Sequence, residues 1–158
     1  MTGALRMKTD DIYRQPGHLI RRAHQIATAV FATETKAFDL TAVQFSALVV
    51  IREHPGTDAT RVSDLIYFDR STIGNVLDRL EKKGLIRREA GVEDRRTKRL
   101  FLTAQGRSML GKVIAKAPSV AAGILAPLPA ADRVRFVKLL AKLVGADDAT
   151  RGKSRSSA

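Results

Sequence analysis

No cysteine and no tryptophan occur among the 158 residues, aromatic side chains make up only 5% of them, and histidine appears three times. The missing cysteine excludes disulfides, thiolate zinc sites and any thiol redox switch. His18, His24 and His54 are too scattered for a metal site with ligand spacing. There is no Gly-rich phosphate loop and no nucleophile motif, so no catalytic residue, metal or cofactor is assigned and an enzyme is not expected. Asp10-Asp11 and Asp147-Asp148 lie near the chain ends, where solvation explains paired acids better than acid–base chemistry. No apolar run approaches the roughly 20 residues needed to span a bilayer, and the opening MTGALRMKTDD carries no apolar signal core. The expectation is a cytoplasmic protein with no membrane partner. Acid is also in short supply, with 28 Lys+Arg against 16 Asp+Glu, a net charge of +12 and a pI near 10.7. That balance suits an anionic partner such as nucleic acid, although charge alone does not choose among DNA, RNA and an anionic membrane. The length suits one domain with a single core.

The informative stretch is 69–106, DRSTIGNVLDRLEKKGLIRREAGVEDRRTKRLFLTAQG. Ile73, Val76, Leu77 and Leu80 recur at three- and four-residue steps and predict an amphipathic helix. Asp69 stands where an N-cap belongs, and Gly84 where a left-handed residue closes a helix, with Lys82 and Lys83 in the last turn. Residues 85–89 and 98–102 read as two short strands around a charged loop, 91–97. From Arg79 to Arg99 there are nine Lys/Arg (79, 82, 83, 87, 88, 95, 96, 98, 99) against four Asp/Glu (81, 89, 93, 94), an excess of five.

This layout resembles the winged helix-turn-helix of the MarR (multiple antibiotic resistance regulator) family of bacterial transcription factors. The wing pattern of that family, Asp-x-Arg, a basic strand and Leu-Thr-x-x-Gly, stands here as Asp94-Arg95-Arg96, Lys98-Arg99-Leu100-Phe101 and Leu102-Thr103-Ala104-Gln105-Gly106. Its recognition-helix pattern stands as Arg70-Ser71-Thr72 followed by the run from Leu77 to Leu85. Together with the helical regions on both sides, the resemblance spans about residues 11 to 145. It implies a mainly α fold with a small two- or three-stranded antiparallel wing, flanked by long N- and C-terminal dimerisation helices. Without cysteine, the thiol-based peroxide sensing of some members of that family is excluded.

The rest of the chain falls into order around that stretch. Residues 1–10 are expected to be frayed, and 11–40 to form the N-terminal dimerisation helix. That helix carries Leu19, Ala23, Ile26 and Val30 on one stripe and Ile20, Ala27 and Phe31 beside it. The DNA-binding lobe covers 41–103: Thr41 and Gln44 form a capping box for a helix ending near Glu53. Asp58 caps a short helix with Val62, Leu65 and Ile66 inward, and Tyr67-Phe68 turn the chain into the recognition helix. Thr103 caps the next helix. Residues 104–146 hold C-terminal dimerisation helices, interrupted at Pro118 and restarted at Pro129. The last of them is apolar on two sides, which favours a homodimer, and 147–158 is a polar, charged tail expected to be disordered.

For DNA, the N-terminal part of a recognition helix reaches base edges, which makes Arg70, Ser71, Thr72 and Asn75 the candidate readers. Asn pairs with adenine and Arg with guanine, whereas Ser71 and Thr72 have the alternative of capping the helix. Arg79, Lys82 and Lys83 are assigned to phosphate, and Arg95, Arg96, Lys98 and Arg99 to the wing. The resemblance implies that Arg96 enters the minor groove and that Asp94 orients a neighbouring arginine. It also implies a small-molecule effector, often a phenolic or aromatic carboxylate, received here by His18, Arg22 and His24, while Phe45 and Phe101 are assigned to the core. The expected function is a homodimeric repressor on a pseudo-palindromic operator of double-stranded DNA, released by such a ligand. Two alternatives stay open: a ligand-insensitive architectural DNA binder, and a protein-interaction module with a basic surface.

Overall fold

The structure is a computed structural model, and it describes residues 8–91 and 96–146. The chain divides into two compact units, Met1–Val120 and Ala121–Ala158. The first contains helices α1 (Thr9–Tyr13), α2 (Pro16–Glu34), α3 (Ala42–Glu53), α4 (Ala59–Leu65), α5 (Ile73–Lys82) and α6 (Ala104–Ile114), with a 3₁₀ turn at Lys36–Phe38. Strands β1 (Ile86–Ala90) and β2 (Lys98–Leu102) form an antiparallel pair. Helix α7 (Ala117–Leu125) leads into the second unit, which holds α8 (Ala130–Leu143).

Local chemistry sets the starts of the helices in the lobe. The Thr41 hydroxyl accepts from Gln44 N (3.3 Å) while Gln44 Oε1 accepts from Thr41 N (3.1 Å), so two of the free N–H groups heading α3 are satisfied reciprocally. Asp58 Oδ1 accepts from Arg61 N at 2.8 Å and starts α4. The Thr103 hydroxyl accepts from Gly106 N at 2.9 Å and starts α6. One core unites these elements: Leu48 and Ile51 of α3, Val62 of α4, Leu77 and Leu80 of α5, Ile86, Leu100 and Leu102 of the strands, and Leu110 and Val113 of α6 are all buried. The register Ile86↔Leu102 and Arg88↔Leu100 puts those residues on the inner face of the sheet. Arg87 and Phe101 pair on the outer face, with the guanidinium 4.6 Å from the ring centroid. Gly56 N donates to Leu100 O (2.9 Å) and Leu100 N to Thr57 O (2.8 Å), an isolated one-residue bridge beside a sheet that is two-stranded.

Several boundaries differ from the sequence reading. Ordered helix opens at Thr9, two residues before the expected start, because the Asp11 carboxylate accepts from Lys8 N. Helix α2 stops at Glu34, and the chain turns through Asp39 at φ +49°, a left-handed conformation that Asp tolerates. Helix α5 begins at Ile73 rather than just after Asp69, although the Asp69 carbonyl already accepts from Ile73 N at 3.1 Å. Strand β1 starts at Ile86, one residue late, since Leu85 closes the preceding helix. Leu65, assigned inward, is 42% exposed, because α4 is too short to bury two faces. The break between α6 and α7 falls at Ala115 and Lys116, so Pro118 sits in the first turn of α7, where its missing N–H costs nothing. Pro129 is the N-cap of α8 rather than its first residue. The assigned tails 1–7 and 147–158 lie outside the described residues.

The α6–α7 stretch Ala104–Leu125 has the length and mean hydropathy (1.2) of a membrane-crossing helix. Its apolar residues have another use within the lobe, where Leu110 and Val113 pack in the core. In the second unit, α8 has no buried residue, and Val134, Leu139, Leu143 and Val144 are all more than half exposed.

Gly106 is required by close approach: a Cβ there would collide with the Leu85 carbonyl oxygen, which already accepts from Thr103 N at 3.1 Å. Gly106→Ala is expected to lower unfolding free energy by about 2 kcal/mol or more, as overpacking against backbone does. Urea denaturation checks it, and a midpoint equal to that of the unchanged protein would contradict this account of the approach of α6 to the Leu85 carbonyl.

Candidate nucleic-acid interface

Helix α5 presents its interface as a consequence of what its other face buries. With Ile73, Leu77 and Leu80 turned into the core, Ser71, Asn75, Arg79 and Lys82 fall on the exposed stripe opposite. Two acids, Asp78 and Glu81, lie on the same helix and would oppose a polyanion. Arg88 of β1 takes up both, with Nη2 2.7 Å from Asp78 Oδ1 and Nη1 2.7 Å from Glu81 Oε2. This half-buried fork docks the first strand against the helix and offsets part of the negative charge of the two acids. The pairing escaped the sequence reading, which counted Arg88 only toward the local excess; the three-residue spacing of Asp78 and Glu81 is the signal that one guanidinium could bridge them.

The turn ahead of α5 is tied down residue by residue. Phe68 N donates to Ser63 O (2.9 Å) and Tyr67 N to Asp64 O (3.3 Å), closing α4. The Asp69 carbonyl accepts from Thr72 N and the Thr72 hydroxyl, each at 3.2 Å, and the Ser71 hydroxyl donates to the Asp69 carboxylate. That donation, partly offset by desolvation, holds the Asp69 carboxyl below the usual carboxylate range. Both hydroxyls donate to Asp69, and the N-cap residue Thr72 makes no side-chain cap bond, so the capping alternative to base reading is not what they do here. Arg70 does not project freely. Its Nε and Nη2 bind the Asp64 carboxylate at 3.0, 2.8 and 2.9 Å. Both partners are solvent-exposed, where such a pair is worth only about 0–1 kcal/mol, so it orients the guanidinium and can yield to another anion.

The far end of α5 is anchored too. Gly84 at φ +69° completes a double turn closure, Gly84 N to Glu81 O (2.8 Å) and Leu85 N to Leu80 O (3.0 Å). Lys83, assigned to phosphate, is instead engaged: its ammonium donates to both the carbonyl and the carboxylate of Asp39. Lys83 correspondingly holds the Asp39 carboxyl below its ordinary range. Arg87 is committed to Glu89 and to the Phe101 ring. Arg79, Lys82, Arg96, Lys98 and Arg99 are exposed. Asp94 and Arg95 lie outside the described residues.

The three residues assigned to an effector lie on α2. His18 is half-buried, with its ring 5.4 Å from that of Tyr13 and its Nδ1 3.3 Å from Arg21 Nη2. Arg22 and His24 are exposed. Phe45 packs against the core beside Phe31, ring centroids 5.8 Å apart, whereas Phe101 is half-buried on the outer face of the wing rather than in the core. Among the described residues no group of three or more His, Cys, Asp or Glu is gathered to hold a metal.

Known proteins share this arrangement. The MarR family profile matches residues 40–98, the span from the end of the first long-helix segment to the second wing strand. The HTH-type transcriptional repressor NicR of Pseudomonas putida is 30% identical over 138 residues, 87% of each chain. Bordetella bronchiseptica BpsR, whose DNA binding is regulated by 6-hydroxynicotinic acid, is 30% identical and superposes with a TM-score of 0.75 over 84% of this chain and 94% of its own. The transcriptional repressor CouR, solved on a 23-mer DNA duplex, is 25% identical with a TM-score of 0.76 over 88% of this chain and 99% of its own. A helix whose two acids are held by Arg88, a basic two-stranded wing beside it and likeness to these regulators over most of their length lead to one conclusion: the chain belongs to the MarR family of DNA-binding transcriptional regulators.

Proposed function

We propose that this regulator is a homodimeric repressor that binds a pseudo-palindromic operator and is released by a small aromatic carboxylate. The observation that carries the DNA side is the exposed stripe Asn75, Arg79 and Lys82, whose neighbouring acids are held by Arg88. In the major groove Asn75 reads adenine, and Arg70 reads guanine or phosphate once it exchanges Asp64 for DNA. Ser71 and Thr72 shape the turn through their bonds to Asp69. Arg79 and Lys82 bind phosphate, while Arg96 enters the minor groove with Lys98 and Arg95 on the flanking backbone. Asp94 orients the wing arginines.

Dimerisation is supported by apolar surface that the single chain leaves uncovered: Leu19, Ile20 and Ile26 on α2, and Val134, Leu139 and Leu143 on α8. Two lobes then place their recognition helices one turn of duplex apart, about 34 Å. The setting in which such a protein meets its DNA is the bacterial cytoplasm.

The effector reading rests on BpsR and its 6-hydroxynicotinic acid, an aromatic ring bearing a carboxylate. Arg22 offers that carboxylate a cation, and His18 and His24 offer the ring a planar polar neighbour. The Asp39–Lys83 tie joins the chain just beyond α2 to the end of α5. A ligand that favours one position of α2 thereby favours one position of the recognition helix, a population shift that needs only different affinity for the two states.

Two outcomes follow for purified protein on its upstream intergenic DNA. Arg79→Ala lowers affinity for operator and random duplex alike and reduces the slope of log K against log salt by about 0.9, one phosphate contact. Added 6-hydroxynicotinate or a related aromatic carboxylate releases the duplex, and Arg22→Ala abolishes that release while leaving affinity without ligand unchanged. Fluorescence anisotropy measures both; operator binding indifferent to every aromatic carboxylate tried would leave a ligand-insensitive DNA binder instead.

A further inference from the structure

We propose that Tyr67 is a DNA-contacting residue whose phenol donates a hydrogen bond to a phosphate oxygen at the entry to the recognition helix. The inference rests on the DNA-binding reading above and adds a contact that no basic residue supplies.

Two turns in this lobe are closed by the same backbone device. At the end of α5, Leu85 N bonds back five residues to Leu80 O and Gly84 N bonds to Glu81 O, with Gly84 left-handed at φ +69°. At the end of α4, Phe68 N bonds back five residues to Ser63 O and Tyr67 N bonds to Asp64 O, with Tyr67 left-handed at φ +53°. The residue after the left-handed one turns inward in both turns: Leu85 is buried and Phe68 packs against the core. The difference lies in the left-handed residue itself. That position favours glycine, since a side chain crowds the following carbonyl there. A bulky tyrosine is therefore the strained choice.

Tyr67 is 90% exposed, an aromatic ring held in solvent. Its neighbours explain where it is aimed. Its own N–H binds the carbonyl of Asp64, whose carboxylate holds Arg70, and the Ser71–Asp69 bond follows directly. Tyr67 thus belongs to the turn that delivers the N-terminal end of α5, the part of a recognition helix nearest base edges and the phosphates flanking them. Tyrosine is among the ordinary donors to phosphate, and as a neutral one it adds affinity without displacing a counterion.

The test uses the full chain with Tyr67→Phe and Tyr67→Gly, reading duplex affinity across a salt series, the melting temperature and the oligomeric state. Tyr67→Phe is expected to weaken binding about tenfold, the loss of one hydrogen bond to a charged acceptor, with the salt slope unchanged. Tyr67→Gly is expected to weaken binding at least as much while leaving the melting temperature equal or higher, because glycine relieves the turn. Wild-type affinity in both variants overturns the contact, and weak binding in Tyr67→Gly alone overturns the hydroxyl's part in it. A lower melting temperature or a changed oligomeric state in Tyr67→Gly overturns it in favour of a structural role. Unchanged protein that fails to bind any duplex overturns the DNA-binding reading itself, a result distinct from all of these.

Discussion

Thr103 holds the junction on which the interface depends. Its N–H takes the Leu85 carbonyl at 3.1 Å and its hydroxyl takes the Gly84 carbonyl at 2.6 Å, while the same hydroxyl accepts from Gly106 N and starts α6. These bonds fasten the end of the recognition helix, the outgoing wing strand and the next helix at one point. Leu85 and Ile86 enter the core there, and the Ile86↔Leu102 pair begins the wing. With that end fixed by backbone and the other by Asp69, the face of α5 that meets solvent follows from which residues are apolar. Gly106 belongs to the same constraint, since only a residue without a Cβ lets α6 lie against the Leu85 carbonyl.

Charge is sorted on the same frame. A basic chain does not by itself make a specific interface, because cations distributed at random would also hold the acids of the helix at random. Here Arg88, Lys83 and Arg87 are turned to internal partners, Asp78 and Glu81, Asp39, and Glu89 with Phe101. Arg79, Lys82, Lys98 and Arg99 stay exposed. The first group positions the helix and wing, and the second is left on the surface for an anionic partner.

Much of this was legible in the chain because it is local. Thr41, Asp58, Thr103 and Gly84 each act on backbone within a few residues, so their roles follow from spacing. The apolar steps of α5 likewise determine its buried face. What could not be read depends on partners remote in sequence or on a choice among near neighbours. Lys83 and Asp39 are 44 residues apart and meet only when the lobe folds. Arg70 and Asp64 are six apart, but their contact needs the turn at Tyr67 to fold back on α4. Asp69 sits one turn early because its carboxylate takes the Ser71 hydroxyl while its carbonyl takes the backbone. Leu65 was assigned by apolarity alone, and its exposure reflects the brevity of α4.

The central claim is that this surface reads sequence rather than merely attracting polyanion. The most direct measurement is the ratio of affinities for the protein's own upstream intergenic duplex and for a scrambled duplex of equal length and composition, at near-physiological salt. The account predicts a preference of about a thousandfold or more, the range of specific over non-specific binding. Equal affinity for the two duplexes, falling together as salt rises, would contradict it.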